Sequence, residues 1–130
     1  MVSKRSSDVM FEIEKTFTFE AGHTLPHHDG KCVHPHGHSY VLKVAVRKDH
    51  LEKEGPHQGM VVDFHSIKDV VKPMLDEFFD HQWLNNSLQL ESPTAEAIAQ
   101  WVFTYLESKI DGLYRVTIYE TATSCASFTK

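Results

Sequence analysis

Apolar positions alternate through residues 10–23, "MFEIEKTFTFEAGH", where Phe11, Ile13, Phe17, Phe19 and Ala21 share one parity that runs on through His23. A period of two predicts a strand with one apolar face. Residues 36–49, "HGHSYVLKVAVRKD", alternate again, with Tyr40, Leu42, Val44 and Val46 facing one way and Lys43 and Arg47 the other. The intervening "TLPHHDGKCVHP" carries two prolines and a glycine and reads as a loop, and the segments together suggest an antiparallel pair joined by a loop too long for a tight hairpin. After a polar loop, "HLEKEGPHQG", the run "GMVVDF" reads as a short extended piece. The spacing then becomes helical over residues 65–80, with Ile67, Val70, Val71, Met74, Leu75 and Phe78 on one stripe and Pro73 predicting a kink or a late start. "HQWLNNSLQLE" reads as a connection. A second helix is predicted over 92–110, with Ser92 as N-cap, Pro93 in the first position, Glu96 at the positive end of the dipole, and a stripe of Ile98, Trp101, Val102, Tyr105 and Leu106. Tyr114, Val116 and Ile118 mark a third strand, and "ATSCASFTK" a closing edge strand. The order is ββααββ: an α+β fold with a four-stranded antiparallel sheet and both helices on one face.

Length and composition narrow the classes. A chain of 130 residues fits one domain over residues 10–130, behind a polar, flexible leader at 1–9. Such a chain buries enough surface to fold without a disulfide or a structural metal. The formal charge of −5, with no basic run, argues against nucleic-acid binding. The chain has no signal-peptide core and no membrane-spanning run, so cytoplasmic residence with free thiols at Cys32 and Cys125 is the expectation.

The unusual total is ten histidines, concentrated between His23 and His38. In a strand, His36 and His38 stand side by side, and Gly37 between them leaves the opposite face bare. His23 ends the apolar row of the preceding strand, so pairing of the two strands brings three imidazoles to one point. Three histidines and an open position are the pattern of a catalytic zinc site. Neutral ligands leave the metal's double charge uncompensated, able to acidify a bound water or hydroxyl or polarise a carbonyl. An isolated His-x-His also fits a polar strand start, and it is His23 that tips the reading towards metal. His34 shares the parity, and His27 and His28 lie in the loop; only Pro35, a ladder breaker, sets His34 aside. Cys32 has three roles open to it: a fourth ligand closing a non-catalytic structural zinc site, a buried small side chain, or a reactive thiolate.

The segments "FTFEAGHTL", "CVHPHGHSY", "FFDHQWLN", "SPTAEAIA" and "IYETATS", in this order and spacing, resemble the 6-pyruvoyltetrahydropterin synthase and 6-carboxytetrahydropterin synthase family from about Phe11 to the C-terminus. The three residues between Cys32 and His36-Gly37-His38 are similar to the carboxy-forming branch. The departure is at His34-Pro35, where a basic or polar residue and then an aliphatic one are expected. The resemblance implies a tunnelling fold whose protomers form barrel trimers, two of which stack into a homohexamer with active sites at subunit interfaces. It implies zinc on His23, His36 and His38, Cys32 free for catalysis, and Asp80 and His81 as a catalytic pair. It implies Glu120 as anchor of the pterin ring, with Thr94 and Glu96 lining that pocket.

The residues support these roles unevenly. Glu120 continues the row of Tyr114, Val116 and Ile118, so it should point inward, where a carboxylate needs a partner; the bland alternative is a solvated strand end. Asp80-His81 follows a helix and equally fits an ordinary C-terminal turn, and Glu96 equally fits a helix-dipole charge. Lys31 is a candidate phosphate contact or a plain surface lysine. The resemblance implies zinc-dependent conversion of 7,8-dihydroneopterin triphosphate to 6-carboxy-5,6,7,8-tetrahydropterin, acetaldehyde and triphosphate, in queuosine biosynthesis. The rival on the same scaffold is pyruvoyl-forming activity.

Overall fold

The computed structural model describes residues 9–130; apart from Val9, the expected leader lies outside the described residues. Strand β1 (Phe11–His23) pairs antiparallel with β2 (His36–Lys48) along its full length, from Phe11 opposite Lys48 to His23 opposite His36. β4 (Leu113–Thr121) pairs with β2, and β5 (Ser124–Thr129) closes the far edge beside β4. Among the described residues the sheet has five strands, not four, in the order β3 (Gln82–Trp83), β1, β2, β4, β5. The addition is β3, two residues paired parallel to Ala21 and Gly22 of β1.

Helix α1 (Phe64–Met74) begins where Asp63 accepts the His65 N–H at 2.9 Å. It neither starts late nor stops at Pro73. The irregularity comes one turn later, as a π-helical turn over Leu75–Phe79 in which Asp80 N–H reaches the Leu75 carbonyl at 2.8 Å. Proline donates no N–H and crowds the turn before it, yet the helix runs through Pro73 and widens only after it. The extra residue turns Phe79, rather than Phe78, into the core and leaves Asp80 beside β1. The "GMVVDF" run is not a strand: its start is tied back to Glu52 by two backbone hydrogen bonds, and Phe64 already opens α1.

The residues expected as a plain connection include a short helix, α2 (Leu84–Ser87). Helix α3 spans Ala95–Leu106, and its N-cap is Thr94, whose Oγ1 accepts the Ala97 N–H at 3.1 Å, not Ser92. Pro93 therefore precedes the helix, and its carbonyl is free to bond elsewhere. The buried face of α3 is Ile98, Ala99, Val102, Phe103 and Leu106, while Trp101 and Tyr105 are half-buried and stack with ring centroids 5.4 Å apart.

Both long helices pack on one face of the sheet, against Phe17, Phe19, Tyr40, Leu42, Val44, Val116 and Ile118. Each large apolar side chain so buried contributes about 1.5–3 kcal/mol, enough to hold the register that aligns His23 with His36.

Candidate metal centre and cleft

The core-facing row of β1 and β2 ends in imidazoles. His23, His36 and His38 each offer a ring nitrogen, and these nitrogens lie within 4.8 Å of one another. Among the described residues, the buried side-chain nitrogens and oxygens without a hydrogen-bond partner are the Nε2 atoms of these same three rings. A buried, unpartnered polar atom costs on the order of 1–3 kcal/mol, and three aimed at one point call for a common partner. A divalent cation bound through imidazole fits that need.

Two of the rings are oriented from behind. His23 Nδ1 lies 2.8 Å from the Pro93 carbonyl, and His36 Nδ1 lies 2.7 Å from the His34 carbonyl. A carbonyl only accepts, so each ring carries its proton on Nδ1 and turns the Nε2 lone pair inward, as a metal ligand requires. This explains the setting of His34: its side chain is exposed and outside the cluster, but its backbone holds His36. His23 is fully buried, and burial pushes its pKa below the usual imidazole range, against the Pro93 carbonyl and the Glu120 charge. Burial lowers His38 as well. Both rings are thereby favoured in the neutral form that binds metal.

Glu120 comes to the same place. Its Oε1 is 3.2 Å from His38 Nε2, close but not aligned as a hydrogen bond, and its side chain is half-buried. The inward course of the β4 row is thus borne out. Tyr40, fully buried below the rings, has its phenol pKa raised by burial, and its hydroxyl stands 3.4 Å from His23 Nδ1.

Cys32 is not in this group. It is half-buried on a 3-10 turn, Lys31–Val33, whose backbone is tied to Leu25, so among the described residues no cysteine closes the three-histidine site. Lys31 is exposed on the same turn. Thr94 uses its hydroxyl as the α3 cap, and Glu96 is exposed in the first turn of that helix.

Asp80 and His81 do form a pair, with Asp80 Oδ2 3.1 Å from His81 Nδ1. The pair is clamped to β1: the Glu20 N–H donates to Asp80 Oδ1 at 3.0 Å, and the His81 N–H donates to the Glu20 carbonyl. The Glu20 N–H is the main reason the Asp80 carboxyl lies below the usual carboxylate range, and His81 adds to it. His81 has a left-handed backbone, φ 58°, which is uncommon outside glycine and is sustained by that clamp. Its imidazole is largely exposed and lines an open cleft of about 780 Å³ together with His36, His38, Glu20 and Trp83. Gly22 and Gly37, opposite one another in the register, form the floor of that cleft. A Cβ on Gly22 would meet the Trp83 ring at 3.2 Å. The structure therefore brings together His23, His36, His38 and Glu120, while His81 lines a cleft that includes His36 and His38 but neither His23 nor Glu120. It does not bring Cys32, Lys31 or Glu96 into that cleft. Sequence reasoning missed the Pro93 and His34 carbonyls, Glu20 and Trp83. Backbone acceptors leave no side-chain signal, and β3 is too short to show a period.

With the geometry established, similarity to known proteins gives it a context. The family model described as 6-pyruvoyl tetrahydropterin synthase matches residues 12–130. A curated 6-carboxy-5,6,7,8-tetrahydropterin synthase of Synechocystis is 48% identical over 120 residues, covering 92% of this chain and 93% of its own. A protein of the same name from Haemophilus influenzae is 33% identical over 140 residues, covering 92% and 99%. Among solved structures, the Caenorhabditis elegans 6-pyruvoyl tetrahydropterin synthase superposes with a TM-score of 0.80 at 29% identity, covering 93% of this chain and 96% of that one.

Proposed function

The chain belongs to the 6-pyruvoyl tetrahydropterin synthase family, and from that premise we propose that it is a 6-carboxy-5,6,7,8-tetrahydropterin synthase. It converts 7,8-dihydroneopterin triphosphate to 6-carboxy-5,6,7,8-tetrahydropterin, acetaldehyde and triphosphate, a step of queuosine biosynthesis in the cytoplasm. The observation that carries the reading is the convergence of three unpartnered, inward-turned Nε2 atoms on one point. No helix among the described residues is long and apolar enough to cross a membrane.

In this reading His23, His36 and His38 hold one zinc ion, which when bound supplies positive charge to substrate hydroxyl and carbonyl oxygens. The residues do the rest. Glu120 accepts the paired N–H donors of the pterin edge; its half-buried carboxylate beside the ligand row supports that role. Cys32 is the thiolate that moves a proton on and off carbon, which its separation from the three-ring group allows. Asp80 keeps the proton of His81 on Nδ1, so that Nε2 exchanges protons over the cleft. Thr94 and Glu96 border the pterin, and Lys31 meets phosphate. Residues 10–130 act as one catalytic domain.

The catalytic unit is a homohexamer, a dimer of trimers. Two features favour an assembled site. Cys32 does not line the cleft that His81 lines, and among the described residues β1 has a strand beside its outer edge only at Ala21 and Gly22. The test is product analysis on zinc-loaded protein with 7,8-dihydroneopterin triphosphate. Equimolar acetaldehyde and 6-carboxytetrahydropterin are expected. Triphosphate release with all side-chain carbons retained would instead make the chain a pyruvoyl-forming enzyme.

A further inference from the structure

The ring of His23 is aimed by a backbone atom, the Pro93 carbonyl, at 2.8 Å. No substitution removes a carbonyl, so the orientation of that ring depends on what holds the 91–93 segment against the end of β1. Pro93 lies one residue before the α3 cap, so no bond within that helix fixes its carbonyl. Two side chains reach the segment: exposed His27 meets the Glu91 carboxylate at 2.7 Å, and Asn85 binds its backbone. Asn85, in the short α2, accepts the Thr24 N–H at 2.9 Å through Oδ1 and returns an Nδ2–H to the Thr24 carbonyl at 2.8 Å. Its second amide hydrogen donates to the Glu91 carbonyl at 3.1 Å. Thr24 follows His23 directly, and Glu91 lies two residues before Pro93. Half-buried, Asn85 thus ties the segment carrying the ring to the segment carrying the ring's acceptor, using both its donors and its acceptor.

We propose that Asn85 is a positioning residue for the metal ligand His23, fixing its Nδ1–H on Pro93 and so its Nε2 on the metal. The inference rests on the metal reading above. An amide is needed, because the same side chain must offer one acceptor and two donors to three fixed backbone groups. A carboxylate keeps the acceptor and loses both donors. Outer-shell partners that orient a histidine typically change metal affinity by about 10–100-fold when removed.

The test is competition for Zn²⁺ between the apo chain and a chromophoric chelator, with apo thermal unfolding measured alongside. Ser87→Ala is the control, because Ser87 Oγ donates to the Phe78 carbonyl at 2.7 Å from the same short helix and touches neither segment. Asn85→Ala and Asn85→Asp should each bind Zn²⁺ about 10–100-fold more weakly, with Ser87→Ala within about threefold of wild type. Asn85→Asp, nearly isosteric, decides the matter if Asn85→Ala does not fold. Affinities of the Asn85 variants within that same margin overturn the proposal, as does an equal loss in Ser87→Ala, which would make the effect one of fold alone. A wild-type chain that takes up no Zn²⁺ overturns the metal reading, and this inference with it.

Discussion

The two ends of the β1–β2 pair both hold polar side chains in partly buried settings and treat them in opposite ways. At one end Glu12 accepts from Arg47 Nε at 2.6 Å and from Arg115 at 2.7 Å, so the carboxylate is fully paired inside the chain. At the other end three imidazoles turn their Nε2 atoms to a shared point and leave them unpaired. A fold gains nothing by leaving buried groups unsatisfied, and the second arrangement is one that could hold a metal ion. The difference separates a structural polar cluster from a functional one.

The contrast breaks most visibly in turnover. Cys32→Ala should lower kcat by about 10²–10⁴-fold while Zn²⁺ affinity stays unchanged, measured by product formation and chelator competition on the same preparation. Loss of metal in this variant would make the thiol a ligand and overturn the division of labour between Cys32 and the histidines. Next in size is metal removal. At a free Zn²⁺ concentration of about 100 Kd, binding adds about 2.7 kcal/mol to stability, so stripping the metal should lower Tm by on the order of 10 °C in differential scanning fluorimetry. The apo chain should nevertheless unfold cooperatively, since the core does not depend on the ion. A non-cooperative apo chain would make the metal a fold determinant.

The smallest effect belongs to the paired end. The Glu12 carboxyl is held below its ordinary 4.5, chiefly by the Arg47 hydrogen bond with Arg115 adding to it. In acid the unfolded chain therefore binds the proton first. The stabilisation is complete above pH 4.5 and is lost as pH falls through the lowered folded value. Glu12→Gln should cost about 1 kcal/mol at pH 7, flatten the acid limb of the denaturation midpoint, and leave Zn²⁺ binding unaltered. A change in metal affinity would mean that the two ends are coupled.

These regions also differ in how far the sequence announces them. The alignment of His23 with His36 and His38 was legible, because strand parity carries an apolar row directly into the imidazoles and the core enforces its register. The inward turn of Glu120 was legible for the same reason. Strand β3 was not, since two residues show no period and their pairing with Ala21 and Gly22 arises from the turn after α1. The start of α3 was misplaced, because Ser92 before Pro93 satisfies the local cap pattern while the hydroxyl that takes the Ala97 N–H is that of Thr94. Thr94 as cap leaves the Pro93 carbonyl outside the helix, facing His23. The His34 carbonyl and the Asn85 amide serve the same end through backbone contacts, which side-chain spacing does not encode.

The most direct test of the central claim is X-ray absorption at the zinc edge of the Zn²⁺-loaded wild-type chain. The account predicts imidazole nitrogens at about 2.0–2.1 Å, light-atom scatterers completing the shell, and no sulfur. A sulfur scatterer at about 2.3 Å would put Cys32 on the metal and contradict it.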